Sequence, residues 1–189
     1  MNLLKNNKMK FGYWGIRGTG EKARLLLAYL KVEYEEVNPS SFEEWFGKTR
    51  DEKVQEGMPF INLPYLEDGD FKLTESSAIP IYLAGKANRL DLFGNTYQER
   101  ANVQMTLGAL DDMSKSMVDV ILGKATPDTL SKEDSVLNKK LKLMSEYLAD
   151  KKYLHGDNIT YADLCLMYFF EVYDWVAGCR GLGFGVWGL

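Results

Sequence analysis

The spacing of apolar positions changes character several times along the chain. Lys10–Tyr13 reads as a short strand, and from Thr19 to Lys31 the residues Ala23, Leu26, Leu27 and Leu30 fall at i, i+3, i+4 and i+7. That spacing predicts one buried helical face. "VEYEEV" alternates like a half-exposed strand, and "SSFEEWFGKTRDEKV" sets a capping serine before acidic residues, which predicts a short helical or irregular segment. Two apolar runs, Asn62–Leu66 and Phe71–Leu73, then flank Glu67-Asp68-Gly69-Asp70. Asp-Gly between such runs predicts a hairpin. Thr74, Ser76 or Ser77 can cap a following helix to about Lys86, with Pro80 early enough in it to be tolerated. The order predicts a small α/β unit made of a βαβ half and a ββα half.

"ANRLDLFGNT" has no period and clusters Asn, Gly and Asp, so it reads as an interdomain linker. Beyond it the period is helical. Val103, Leu107, Leu110, Met117 and Ile121 form one stripe, and Leu137, Leu141, Met144 and Leu148 form another. "NITYADLCLMYFF" opens a helix with Thr160 as N-cap, Asp163 in the capping-box position, and Ile159 and Leu164 in staple positions. That helix is apolar nearly all round and is expected at the centre of an all-helical second domain. The last stretch, "AGCRGLGFGVWGL", is rich in glycine without helical period and is expected to be a disordered tail. The expected boundaries are 9–88 for the α/β domain, 96–178 for the helical domain and 179–189 for the tail.

Composition narrows the function classes. With 189 residues, 46% of them apolar and 26% charged, the chain suits one large domain or two small ones. A net charge of −4 and the lack of a basic stripe argue against nucleic acid as the main partner. Cys165 and Cys179 form no CxxC pattern, so a reduced, cytoplasmic chain is expected. No run of about 18 apolar residues predicts a membrane span, and the N-terminus lacks a signal-peptide core. The single histidine, His155, leaves little for His dyads or multi-His metal sites, and its polar surroundings predict a solvated loop residue.

The stretch "KFGYWGIRGTGEKARLLL" spends Tyr13, Trp14 and Arg17 on a turn that needs only Gly, Asn or Asp. Together with "INLPYLEDG", "LTESSAI" and "NITYADL", in this order and spacing, it resembles the cytosolic glutathione transferases, the mu class most closely. The likeness covers roughly residues 9–175. It implies a thioredoxin-like N-terminal domain, an all-helical C-terminal domain, a homodimer, and conjugation of glutathione, as co-substrate without further cofactor or metal, to small apolar electrophiles.

The resemblance also implies roles for residues. Tyr13 stands where the mu class has its catalytic tyrosine; taken alone, it reads as a buried tyrosine bonded to backbone. Trp14 and Arg17 would frame the mouth of the glutathione site. Ser76 and the amides at the start of its helix would hold the γ-glutamyl carboxylate, and Glu75 would accept from the γ-glutamyl ammonium. Pro64 matches the family's cis-proline, which would turn the Leu63 backbone, beside Asn62, toward the cysteinyl unit. Trp45 and a following lysine would hold the glycyl carboxylate. Asp112 would reach glutathione in the partner subunit, with a solvated carboxylate as the alternative. Phe60 would insert into the partner subunit, with ordinary core as the alternative.

The chain also departs from the mu pattern. A longer stretch separates Trp45 from Asn62, so either Lys48, preferred, or Lys53 could fill the lysine role. Glu75 replaces a glutamine. Leu122 stands where a second tyrosine is expected, which predicts slow epoxide and Michael additions. The family continues past the last apolar helix where this chain turns to glycine. A second reading follows: a truncated, non-catalytic relative that binds glutathione or a protein partner. Isomerase chemistry of the sigma-class kind lacks support, since Gly108 interrupts that class's aspartate trio.

Overall fold

The computed structural model describes residues 8–58, 60–133 and 135–178. The expected tail, with Cys179, lies outside these residues. The chain divides into two compact units between Leu90 and Asp91.

In the first unit four strands lie in the order β2-β1-β3-β4. β1 (Lys10–Gly12) runs parallel to β2 (Glu35–Val37), with Phe11 opposite Glu36. Its other edge pairs antiparallel with β3 (Tyr65–Asp68), Phe11 facing Leu66. The hairpin from β3 to β4 (Phe71–Thr74) turns at Gly69, whose φ of +63° glycine adopts without a Cβ clash. α1 (Glu21–Tyr29) buries Ala23, Leu26 and Leu27 as its period requires, and it packs on α4 (Ala78–Lys86). Burial of each such leucine stabilises the unit by about 1.5–3 kcal/mol.

Two local expectations need correction. Strand structure starts at Tyr65, since Asn62–Pro64 form no ladder; the Leu63–Pro64 peptide is cis. The segment after β2 is one continuous helical run. It comprises α2 (Phe42–Glu44), a π-helical turn (Trp45–Thr49) and α3 (Arg50–Gln55), and the Ser41 hydroxyl accepts from the Glu44 N–H at its start. Asp68 accepts from Tyr82 at 2.5 Å and pairs with Lys86, which ties the hairpin to α4.

The second unit is helical. A 3₁₀ turn (Leu90–Phe93) buries Leu92 and Phe93, so the expected linker is partly core. α5 (Tyr97–Ile121) starts with a capping box in which the Thr96 hydroxyl and Glu99 satisfy each other's backbone N–H. It buries Val103, Thr106, Leu110, Met113 and Met117, while Ile121 is 47% exposed and leaves the stripe expected for it. After α6 (Pro127–Ser131), α7 (Val136–Leu148) buries Leu137 and Met144. α8 (Tyr161–Gly178) packs on α5 along much of its length, with Tyr161, Ala162, Leu164, Cys165, Phe169 and Val176 buried. It is not buried all round, since Met167 and Trp175 are exposed.

The start of α8 differs in detail from the expected cap. Asp163 accepts from the Thr160 N–H and hydroxyl, both at 2.7 Å, and from the Leu154 N–H at 2.8 Å. The hydroxyl therefore donates to the carboxylate instead of accepting from the helix. His155 is also not a solvated residue. It is half-buried, its Nε2 lies 3.0 Å from Thr106 Oγ1, and its ring meets Tyr147 edge-on. Thr106 donates to Val103 O at 2.8 Å, so its oxygen is left to accept from Nε2–H. Burial lowers the His155 pKa, with Asp163 opposing and Lys151 reinforcing the shift.

Candidate functional site

β1 delivers Tyr13 to the first βα turn, where its N–H donates to Val37 O at 3.1 Å and its ring is 7% exposed. The turn wraps this ring closely. A Cβ at Gly18, which holds φ +44°, would fall 2.6 Å from the Tyr13 hydroxyl, and one at Gly20 would fall 2.5 Å from the ring. Only glycine fits either place. The Thr19 N–H donates to the Tyr13 hydroxyl oxygen at 2.9 Å. That bond occupies an oxygen lone pair and leaves the phenolic proton free to donate elsewhere.

The far side of the turn is held by Arg24, whose side chain is 13% exposed. Its guanidinium donates to Ile16 O at 2.8 Å, Trp14 O at 3.0 Å and Arg17 O at 3.3 Å, and to Glu36 through Nε at 2.7 Å. Glu21 accepts from it at 3.1 Å, and Cζ lies 5.5 Å from the centre of the Tyr13 ring. Arg17, expected at the mouth of the site, is exposed and approaches Glu21 at 3.4 Å.

Aromatic rings follow from the turn into the helical segment. Trp14 is half-buried, 4.7 Å from Phe42 and edge-on to Trp45 at 6.4 Å between ring centroids. Trp45 is 1% exposed and stacks on Tyr65 at 6.1 Å in a cluster with Met58 and Ile61. The two lysines raised for the glycyl carboxylate are both engaged. Lys48 is 73% exposed and lies 3.8 Å from Glu52. Lys53 bonds Glu67 at 2.6 Å and Glu56 at 3.0 Å. Burial works to lower the Lys53 pKa, but these carboxylates outweigh it and hold the ammonium above its ordinary value.

Opposite the helical segment stand the residues before β3 and before α4. Asn62 is exposed; its Oδ1 accepts from the Leu63 N–H at 2.9 Å and its own N–H donates to Thr74 Oγ1 at 3.3 Å. Pro64 is buried behind it. Glu75 holds φ +80°, where a residue with a Cβ pays about 1–3 kcal/mol in strain. Its carbonyl accepts from the Ala78 and Ile79 N–H groups at 3.1 Å, opening α4. Ser76 is half-buried; Ser77, at the N-cap, makes no side-chain capping bond. Asn62 and Glu75 line a cleft of about 600 Å³ with Phe46, Arg50, Val54, Phe60 and Ile61. Phe60 is 80% exposed, which excludes the ordinary-core alternative within this chain.

Asp112 lies in the second unit on α5. Lys140 at 2.7 Å and Lys115 at 3.0 Å hold it and pull its carboxyl down to about 2. Its charge is thus already matched within its own chain. Leu122, at the C-cap of α5, is 60% exposed. No group of three or more His, Cys, Asp or Glu side chains among the described residues could hold a metal ion, and no described helix is long and apolar enough to cross a membrane. The residues missed by sequence reasoning are Gly18, the Thr19 amide, Gly20, Arg24 and Arg50. The glycine spacing in "RGTGE" was the available signal for the first three; nothing local marks the two arginines.

Comparison with known proteins places the chain in a family. The family profile "Glutathione S-transferase, N-terminal domain" matches residues 9–85, and "Glutathione S-transferase, C-terminal domain" matches 111–180. The class-mu 26 kDa isozyme of Schistosoma japonicum is 40% identical over 161 residues, covering 82% of this chain and 69% of that protein. Glutathione S-transferase Mu 1 of Bos taurus is 36% identical over 176 residues, covering 88% and 73%. Among solved structures, monomeric Na-GST-3 of Necator americanus superposes with TM-score 0.71 at 28% identity, covering 94% of this chain and 86% of that one. The Pi-class enzyme of Onchocerca volvulus gives 0.73 at 26% identity, covering 90% and 79%. Two family profiles in succession and class-mu relatives across most of the sequence lead to one conclusion: this chain belongs to the glutathione S-transferase family.

Proposed function

We propose that this chain conjugates glutathione to small apolar electrophiles and that Tyr13 keeps the sulfur ionised for attack. A free thiol titrates near about 8.5, so only a few per cent is thiolate at neutral pH. A hydroxyl donating to S⁻ contributes about 1.5–3 kcal/mol, which lowers the thiol pKa by about one to two units. The observation that carries this reading is the Thr19 N–H bonded to the Tyr13 oxygen, because it leaves the phenolic proton as the hydroxyl's remaining donor. The amide also polarises the O–H and strengthens it as a donor. The thiolate then attacks an electrophilic carbon, and the leaving group departs with the displaced electron pair.

Ser76 and the start of α4 would receive the γ-glutamyl carboxylate, and Glu75 its ammonium. Asn62, Leu63 and Pro64 would lie along the cysteinyl backbone, and Trp14 would wall the site with buried Trp45 packed behind it. Leu122 brings no hydroxyl, so additions that need a second proton donor run slowly. Exposed Phe60 suits insertion into a second copy in a homodimer. Asp112 would reach a partner's glutathione only by giving up Lys115 and Lys140. The chain would act in the cytoplasm, with glutathione as co-substrate. Retention on glutathione resin, followed by aryl-halide conjugation, tests the proposal. Retention without turnover would remove the catalytic claim, and failure of both would remove the site.

A further inference from the structure

We propose that Arg50, instead of Lys48 or Lys53, is the cation that holds the glycyl carboxylate of glutathione. This rests on the reading that the first unit binds glutathione. Three cations on the helical segment from Phe42 to Gln55 stand near the site, and their surroundings separate them. Lys53 is held between Glu56 and Glu67, so a ligand carboxylate there would compete with two fixed anions. Lys48 is 73% exposed and turned to Glu52. Arg50 makes no ion pair or side-chain hydrogen bond with any described residue, and it lines the cleft that also presents Asn62 and Glu75.

The spacing along the helical run explains why the arginine faces this way. Arg50 lies four residues from both Phe46 and Val54, which sets the three side chains on one face, and all three line the cleft. Its own N–H bonds Trp45 O at the end of the π turn.

The choice of carboxylate follows from the ligand's chemistry. The γ-glutamyl ammonium and carboxylate sit on one carbon, so Glu75 and the adjacent Ser76 can serve that end together. The glycyl carboxylate, at the other end of the tripeptide, is the anion left for Arg50. A guanidinium offers it two parallel N–H donors, a geometry that lysine does not reproduce.

The test measures affinity for S-methylglutathione, its glycinamide analogue and its analogue lacking the γ-glutamyl carboxylate, with wild type, Arg50→Met, Arg50→Lys and Lys48→Met. Arg50→Met should weaken S-methylglutathione binding by about tenfold or more, as loss of a charge-assisted pair predicts. It should leave glycinamide affinity unchanged and still discriminate against the γ-glutamyl analogue. Arg50→Lys should recover part of the loss, and Lys48→Met should behave as wild type. An equal loss for S-methylglutathione and the glycinamide in Arg50→Met, or a selective loss in Lys48→Met, would overturn the assignment. Wild type binding none of the three peptides would overturn the glutathione reading itself, and this inference with it.

Discussion

Replacing Tyr13 with phenylalanine removes two interactions at once, and the structure allows them to be measured apart. The hydroxyl donates toward the ligand sulfur in the proposed mechanism, and it accepts the Thr19 N–H at 2.9 Å. Loss of the donor should raise the bound thiol's pKa by about one to two units and cut kcat/KM near pH 6.5 by about 10–100-fold. Loss of the acceptor leaves the part-buried Thr19 N–H unpaired, costing stability about 1 kcal/mol, near the low end for such groups. The assay follows kcat/KM against pH with a single aryl halide, together with the ultraviolet absorbance of bound thiolate. Urea unfolding of both proteins measures the second effect. If Tyr13→Phe lowered stability but left the thiolate's titration where the wild type has it, Tyr13 would be a structural tyrosine and the mechanism would fail.

Gly18→Ala places a Cβ against the Tyr13 hydroxyl, so it should lower kcat by tenfold or more while resin retention persists; unchanged kcat would show the turn to be slack. Arg24→Met removes the guanidinium donor from Trp14 O and Ile16 O and one of the donors to Arg17 O and Glu21, and it breaks the ion pair with Glu36; urea unfolding should show a loss of about 3 kcal/mol. A loss below 1 kcal/mol would mean that Arg24 does not hold the turn. Because burial lowers the His155 pKa, the unfolded chain binds the extra proton first as pH falls below about 6.5. That share of stability is present above this pH and is lost on acidification toward the folded pKa. His155→Gln should flatten the decline between pH 7.5 and 5.5 in urea titrations, and a parallel decline in both proteins would exclude the histidine.

Much of the fold was legible because its signals are local. The i, i+3, i+4 stripe of Ala23, Leu26 and Leu27, and Asp-Gly between two apolar runs, act within a few residues and fold as they read. The failures have a common origin. His155 sits in a polar string, yet Thr106, many residues earlier, takes its Nε2. Ile121 keeps the helical period but reaches the end of α5, where the described residues leave it 47% exposed. Asp112 reads either as reaching a partner's glutathione or as a solvated carboxylate, and its ion pair with Lys140 comes only with α7.

The same division holds at the site. Sequence by itself determined the family and the order of strands and helices, since turn chemistry and period are properties of neighbouring residues. Only the tertiary structure decided which groups are free to act. It bonded the Tyr13 oxygen to Thr19, bound Lys53 between two glutamates, and set Arg50 on the cleft beside Asn62 and Glu75. Whether a charge or a proton is available depends on partners brought in from other elements, and spacing along the chain does not encode them.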